Sequence, residues 1–279
     1  MSVAEKSPPF WFEFAHKLPY GRDRVLNYLR KLNLIDDRIV NVPFYDGTFK
    51  LPLSLAGGDL NDYQKERIST FASVCDKHLG QYDFIDCGAH LGLFSAQFTA
   101  CSDRVQTLTA IEPNPFLFSL LDRNRRNIKA RRVECINAAL ADFEGRGRLV
   151  EAAYDSSVDA MYLEESPDGD IQVTKLSGIL SQQTEPRAAI KIDVEGLEVP
   201  VLCGAADAIR SFQKVVLFVE IHKTVLERVG MTDVEMLAHI EGIRPFSWVN
   251  ADDGAPVDSR TGILEQLKLA RQCDLIGIG

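Results

Sequence analysis

An α/β fold with a doubly wound, mostly parallel sheet is predicted by three observations. From residue 82 onward, apolar strand-like runs alternate with helical runs; the strands are continuous in Val, Ile and Leu; and a glycine turn joins the first of them to its helix. The 279 residues are 46% hydrophobic and 25% charged, which supplies a sizeable core and excludes disordered, collagen-like and coiled-coil chains.

Residues 1–80 lack that rhythm and read as an N-terminal helical extension to a domain over 81–279. Turn signals punctuate the extension at Pro8-Pro9, Pro19-Tyr20-Gly21, Asp46-Gly47 and Gly57-Gly58. Between them, Val25, Leu26, Leu29 and Leu32 recur at helical spacing, as do Ile68, Phe71, Ala72, Cys75 and Leu79, and both stripes are read as core-packing faces. The aromatic start Phe10-Trp11-Phe12 implies burial against another surface.

The domain then unfolds in order. YDFIDC is a first strand, HLGLFSAQFTA a helix, TLTAIEP a second strand and PFLFSLLDRNRRNI its helix. VECINAAL is a third strand, AAIKIDV a fourth and KVVLFVEIH a fifth, with the helix EVPVLCGAADAIRSF between the last two. Residues 143–181, with two polar turns around RLVEAA and IQVTKL, form a hairpin-like insertion before the fourth strand. A helix near TDVEMLAHI, a strand at PFSWVN and the closing LIGIG complete the sheet with an antiparallel hairpin.

Charge and cysteine usage bound the partners. Thirty-one basic against 40 acidic residues give a net charge of −9, which speaks against nucleic acid, and the basic cluster of Arg123, Arg125, Arg126, Lys129, Arg131 and Arg132 reads as a solvated helix end. Six dispersed cysteines without a C-x-x-C pair fit a reduced, cytoplasmic protein. No signal-peptide core and no run of 18 apolar residues is present, so no membrane span is expected; homodimer formation is left open.

The chemistry concentrates at the first strand end, Phe84-Ile85-Asp86-Cys87-Gly88-Ala89-His90-Leu91-Gly92-Leu93-Phe94. Gly88 permits positive φ, Gly92 lets the helix pack closely, and the helix N-terminus offers N–H groups to a polar ligand. Glu112 ends the second strand, 20 residues beyond Gly92, where a carboxylate accepts from ribose hydroxyls. A dinucleotide fingerprint would need glycine where His90 stands, and Asp86 suits a cationic amino group better than a diphosphate. S-adenosylmethionine (SAM), with ribose and adenine at one end and an ammonium at the other, fits this pattern.

These residues resemble the FkbM-type family of SAM-dependent methyltransferases. Asp86, Gly88, Ala89, Gly92 and Phe94 match its first motif, Ile111-Glu112-Pro113-Asn114-Pro115-Phe116 its second, and Ala139-Leu140-Ala141-Asp142-Phe143-Glu144-Gly145 its third. The fullest match is Ile190-Lys191-Ile192-Asp193-Val194-Glu195-Gly196-Leu197-Glu198, followed by Val201-Leu202 and Gly204-Ala205. Two positions depart: His90 replaces the usual Asn, and Ser177 follows Leu176 where an Asp is common.

The resemblance implies a Rossmann-like, seven-stranded class I methyltransferase sheet and O-methylation of a sugar or secondary-metabolite hydroxyl on a small-molecule or glycan acceptor. SAM is expected with its methionine end at Asp86, Gly88, Ala89 and His90, its ribose at Glu112 and its adenine near Asn114, Ala141 and Asp142, with Gly92 and Phe94 supporting the turn. Asp193 and Glu195, two apart in extended chain, and His222 are the candidate catalytic residues, Asp193 first among them as proton acceptor. No sequence-local ligand pattern marks a metal, and none is assigned. The rival readings are an NAD-dependent oxidoreductase on the same architecture and a SAM-binding scaffold without turnover.

Overall fold

The computed structural model describes residues 38–53, 55, 59–151, 161–269 and 271–279. The stripe at Val25–Leu32, the Phe10-Trp11-Phe12 segment and Gly57-Gly58 lie outside the described residues. The described part of the first 80 residues is not purely helical. Strands β1 (Ile39–Phe44) and β2 (Gly47–Pro52) form an antiparallel hairpin through the Asp46-Gly47 turn, and helix α1 (Lys65–Leu79) follows. The hairpin is hard to read in the sequence because IVNVPF and GTFKLP are each only six residues long, with a proline in each.

The main sheet is built from β3 (Tyr82–Cys87), β4 (Val105–Ile111), β5 (Arg132–Ile136), β10 (Arg187–Ile192), β11 (Lys214–His222), β12 (Ser247–Asn250), β13 (Pro256–Val257) and β14 (Gln272–Ile278). Its order is β13-β12-β14-β11-β10-β3-β4-β5, seven strands plus a two-residue edge. The five strands from β5 to β11 run parallel, and β14 enters antiparallel between β11 and β12. The expected terminal hairpin is therefore an insertion: the last strand separates its two neighbours.

Helices α2 (Leu93–Cys101) and α3 (Pro115–Asn124) follow β3 and β4, while α5 (Glu198–Gly204) and α6 (Ala206–Ser211) follow β10. Strand alternation divides β3 between two cores. Tyr82 and Phe84 join the aromatic layer of Phe71, Phe94, Phe98 and Phe218 under α1 and α2, and Ile85 and Cys87 join the aliphatic layer under α5 and α6. Because the connections from β3 and from β10 leave in opposite directions along the sheet, the crevice between these two strands is the topological switch point where ligands bind in such folds.

The segment read as one third strand is two: β5, and β6 (Ala139–Ala141), which turns away from the main sheet. With β7 (Gly145–Glu151), β8 (Met161–Glu165) and β9 (Ile171–Lys175) it makes a four-stranded sheet of order β6-β9-β7-β8. The insertion thus has one more strand than its two turn signals suggest. A short helix α4 (Leu176–Leu180) leads back to β10, and α7 (Lys223–Val229), α8 (Asp233–Glu241) and α9 (Ile263–Gln266) fill the path to β14. Among the described residues no helix is long and apolar enough to cross a membrane.

Candidate active site

A cavity of about 540 Å³ opens at the carboxyl ends of the parallel strands. Its floor is the turn after β3. Gly88 (φ 82°), His90 (φ 53°) and Gly92 (φ 83°) are all left-handed, so the backbone coils tightly into α2. The Gly88 and Ala89 N–H groups donate to the Ile111 carbonyl at 3.0 and 2.9 Å, and Asp193 N–H donates to the Cys87 carbonyl at 3.1 Å. A Cβ on Gly88 would stand 1.9 Å from the Asp193 carbonyl oxygen, and one on Gly92 would stand 2.7 Å from Leu121. Gly88 therefore lets two strand ends meet, whereas Gly92 lets α2 pack on α3.

Glu112 closes one end of the cavity and is buried. Its carboxylate accepts from the His90 N–H at 2.8 Å and the Asn114 N–H at 2.9 Å, one bond to each oxygen, leaving each oxygen a second lone pair. Burial pushes its pKa up to about 7, against the pull of those backbone donors. Asn114 caps α3 by accepting from Phe116 and Leu117, and Pro115 suits the first helical position.

Asp86 does not line the cavity. It is fully buried behind the turn, where Ser95 Oγ donates to it at 2.6 Å and Lys191 Nζ lies 3.4 Å away. Lys191 also donates to the Gly88 carbonyl at 2.8 Å, pairs with Asp193 at 3.1 Å and lies 5.5 Å from the Phe94 ring centroid. Burial alone would lower the Lys191 pKa, but Asp193 and Asp86 outweigh it and hold the ammonium above its ordinary value. The cation expected opposite Asp86 on a ligand is thus supplied by the protein.

The opposite end of the cavity is acidic. Ile192 pairs with Val219, so Asp193 and Glu220 emerge side by side, and Glu220 pairs directly with Asp274 on β14. Gln272 donates to Glu220, and Arg67 from α1 pairs with Asp274 at 2.5 Å. Burial raises Asp274 to about 6 despite Arg67, and burial with the two neighbouring acids raises Glu220 well above the usual carboxylate range. Tyr63, from the turn before α1, also lines this end.

Glu195 (φ 54°) and Gly196 (φ 102°) turn the chain out of β10 toward α5. The buried Glu198 carboxylate accepts from the N–H groups of Val194 and Gly196, which gives it the helix-start role that its position suggests. Arg228 donates to the Glu195 carbonyl and lies 4.9 Å from the Tyr162 ring centroid, linking the insertion to this turn.

Of the sequence-predicted residues, Gly88, Ala89, His90, Phe94, Glu112, Asn114, Asp193 and Glu195 line the cavity. Gly92 packs beneath it. Ala141 and Asp142 lie outside the lining, and the wall next to Asn114 is made instead by Ala138, Ala139 and Leu140. His222 lies two register positions beyond Glu220, opposite Gln272 and outside the lining. Glu220 lines the cavity as a strand-end acid beside Asp193, whereas Lys191, Gln272, Asp274 and Tyr63 join the site although the sequence reading assigns them no part in it. A lysine within the apolar run AIKID is a readable signal for the first; Tyr63 carries none.

The model of the methyltransferase FkbM domain matches residues 86–244. Among solved structures, methyltransferase FkbM from Methylobacillus flagellatus is similar at 18% identity and a TM-score of 0.44, covering 71% of this chain and 43% of that one. The chain thus spans less than half the length of that protein. TYW2 from M. jannaschii, solved in complex with AdoMet, is similar at 13% identity and a TM-score of 0.44, covering 88% and 87% of the two chains. No curated protein matches. The family match takes in more than half of the 279 residues, from the acid before the glycine turn, through Glu112 and the Lys191–Asp193 strand end, to beyond Glu220, and on that ground the chain belongs to the FkbM family of SAM-dependent methyltransferases.

Proposed function

We propose that this protein methylates a hydroxyl oxygen of a small-molecule or glycan acceptor, a sugar or a secondary metabolite. The observation that carries the reading is the polarity of one cavity, with a buried Glu112 and a glycine turn at one end and the Asp193 carboxylate at the other. The lining suits SAM. Two unused lone pairs on Glu112 fit a pair of ribose hydroxyls, the Gly88–His90 backbone offers a surface without a Cβ at its tightest point, and Ala138, Leu140 and Pro113 offer an apolar wall for adenine. When bound, SAM supplies an electrophilic methyl on a sulfonium. Asp193 is half-buried beside the turn, salt-bridged to Lys191, and takes the proton of the acceptor hydroxyl as its oxygen attacks. Glu195 sits at the rim of the same end, and His222 is left without a role in this reading.

Calorimetric titration with S-adenosylhomocysteine (SAH) and, separately, NADH tests the cofactor. SAH is expected to bind in the micromolar range and NADH not at all; binding of NADH alone would mean an oxidoreductase. Each hydrogen bond to a charged acceptor is worth about 1.5–3 kcal/mol, so Glu112→Ala, which removes two, should weaken SAH binding by about 100-fold or more. Protonation takes away acceptor capacity, so wild-type affinity should also fall as pH drops below about 7, the value to which burial raises Glu112. An affinity unchanged in Glu112→Ala would remove Glu112 from the ribose site.

A further inference from the structure

Three carboxyl groups stand in a row across three neighbouring strands at the acceptor end: Asp193 after β10, Glu220 on β11 and Asp274 on β14. The outer two have cations. Lys191 pairs with Asp193 at 3.1 Å and Arg67 with Asp274 at 2.5 Å. Glu220, between them, has no ion pair among the described residues; Gln272 donates to one of its oxygens, and the chain register sets it beside Asp193 at the ends of β10 and β11 and opposite Asp274 on β14. Neighbouring carboxyl groups in such a row disfavour ionising together, because like charges held close repel. Asp193 is the member with the cation, so the proton belongs on Glu220.

We propose that Glu220 is the proton-carrying member of a carboxyl pair with Asp193 and a positioning residue of the reaction, its O–H directed at the Asp193 carboxylate so that Asp193 is the single anion that receives the acceptor's proton. The proposal rests on the methyl-transfer reading above. In the step, the acceptor O–H proton passes to Asp193, the oxygen pair forms the new O–C bond, and the C–S bonding pair remains on sulfur. Asp193 then returns its proton to solvent through the open cavity while Glu220 keeps its own. The groups that set this balance are Asp193 and Lys191 on β10, Asp274 and Gln272 on β14, Tyr63 before α1, Arg67 on α1, and Asp86 behind Lys191.

The test needs no acceptor. A glutamate that keeps its proton in the folded protein and titrates near 4.5 when unfolded makes stability fall as pH rises from that value through its folded pKa. Glutamine at 220 keeps the shape of the protonated group and removes the titration. Thermal midpoints of full-length wild type and Glu220→Gln should therefore diverge with pH, the variant gaining about 5 °C or more on wild type between pH 6 and pH 9. Glu112 and Asp274 contribute the same slope to both proteins and cancel. Parallel curves would mean that Glu220 is ionised when folded and would overturn the proposal. If Glu220→Gln does not fold, Asp193→Asn serves: losing the neighbouring anion should ease Glu220 ionisation and flatten the decline, and an unflattened decline would count against the pair. SAH affinity of Glu220→Gln at pH 7 should stay within about threefold of wild type, and a larger loss would shift Glu220 from the acceptor end to the cofactor site, against the proposal. Failure of wild type to bind SAH would strike the methyl-transfer reading itself, separately from the pH result.

Discussion

Gly88→Ala is expected to abolish detectable SAH binding and to destabilise the fold strongly. Gly88 has φ 82°, and a left-handed non-glycine residue alone costs about 1–3 kcal/mol. Steric overlap costs more than this backbone strain. The added Cβ would lie 1.9 Å from the Asp193 carbonyl oxygen, backbone against backbone, so relief requires β3 and β10 to part at the point where the cavity begins. Losing the Asp193 N–H to Cys87 carbonyl bond follows from the same displacement. Urea unfolding and SAH calorimetry on the variant check both effects; a variant with wild-type affinity would show that the turn adjusts elsewhere and that its tightness is not what shapes the cofactor site.

Lys191→Met carries the second large effect. Among the described residues it leaves the fully buried Asp86 side chain with the Ser95 hydroxyl alone, and frees the Gly88 carbonyl and Asp193 from their shared donor. Breaking a buried pair by removing one partner costs about 3–5 kcal/mol, since the remaining charge stays desolvated. Denaturant unfolding at pH 8 measures this, with a loss below about 1 kcal/mol ruling out Lys191 as the joint of the site. Because the same ammonium holds both the turn and Asp193, SAH affinity should fall along with stability.

The parallel core is legible because its signals are local. Six consecutive buried residues in Tyr82–Cys87, a glycine exit and an acid at the next strand end can be read from one stretch of chain. What such reading does not supply is the use to which a buried charge is put. Asp83 and Asp86 lie three residues apart on one strand and look alike. Asp83 accepts from the backbone N–H groups of Thr107, Thr184 and Glu185 and ties three segments together, while Asp86 balances Lys191. The second role is not visible without knowing that Lys191 stands opposite Asp86 in the sheet register. The acceptor end is the least legible part for the same reason. Tyr63 comes from one distant stretch and Gln272 and Asp274 from another, and only the antiparallel entry of β14 brings the last two beside β11. Ala141 and Asp142 illustrate the reverse case, residues expected just past one continuous third strand whose chain in fact leaves the main sheet after Ile136.

The place of β14 has a consequence for how this chain is made. Ribosomes deliver β11 and β12 before the strand that belongs between them, so during synthesis both present open edges, that of β11 rich in Val, Leu, Ile and Phe, the kind of template on which nascent chains pair wrongly with one another. The charged and amide-bearing face of β14, Gln272 and Asp274, arrives with that closing strand. Ligand competence and protection from aggregation are therefore acquired in the same late event, and a chaperone that shields the β11 edge until β14 emerges would raise the yield of active protein rather than merely of soluble protein.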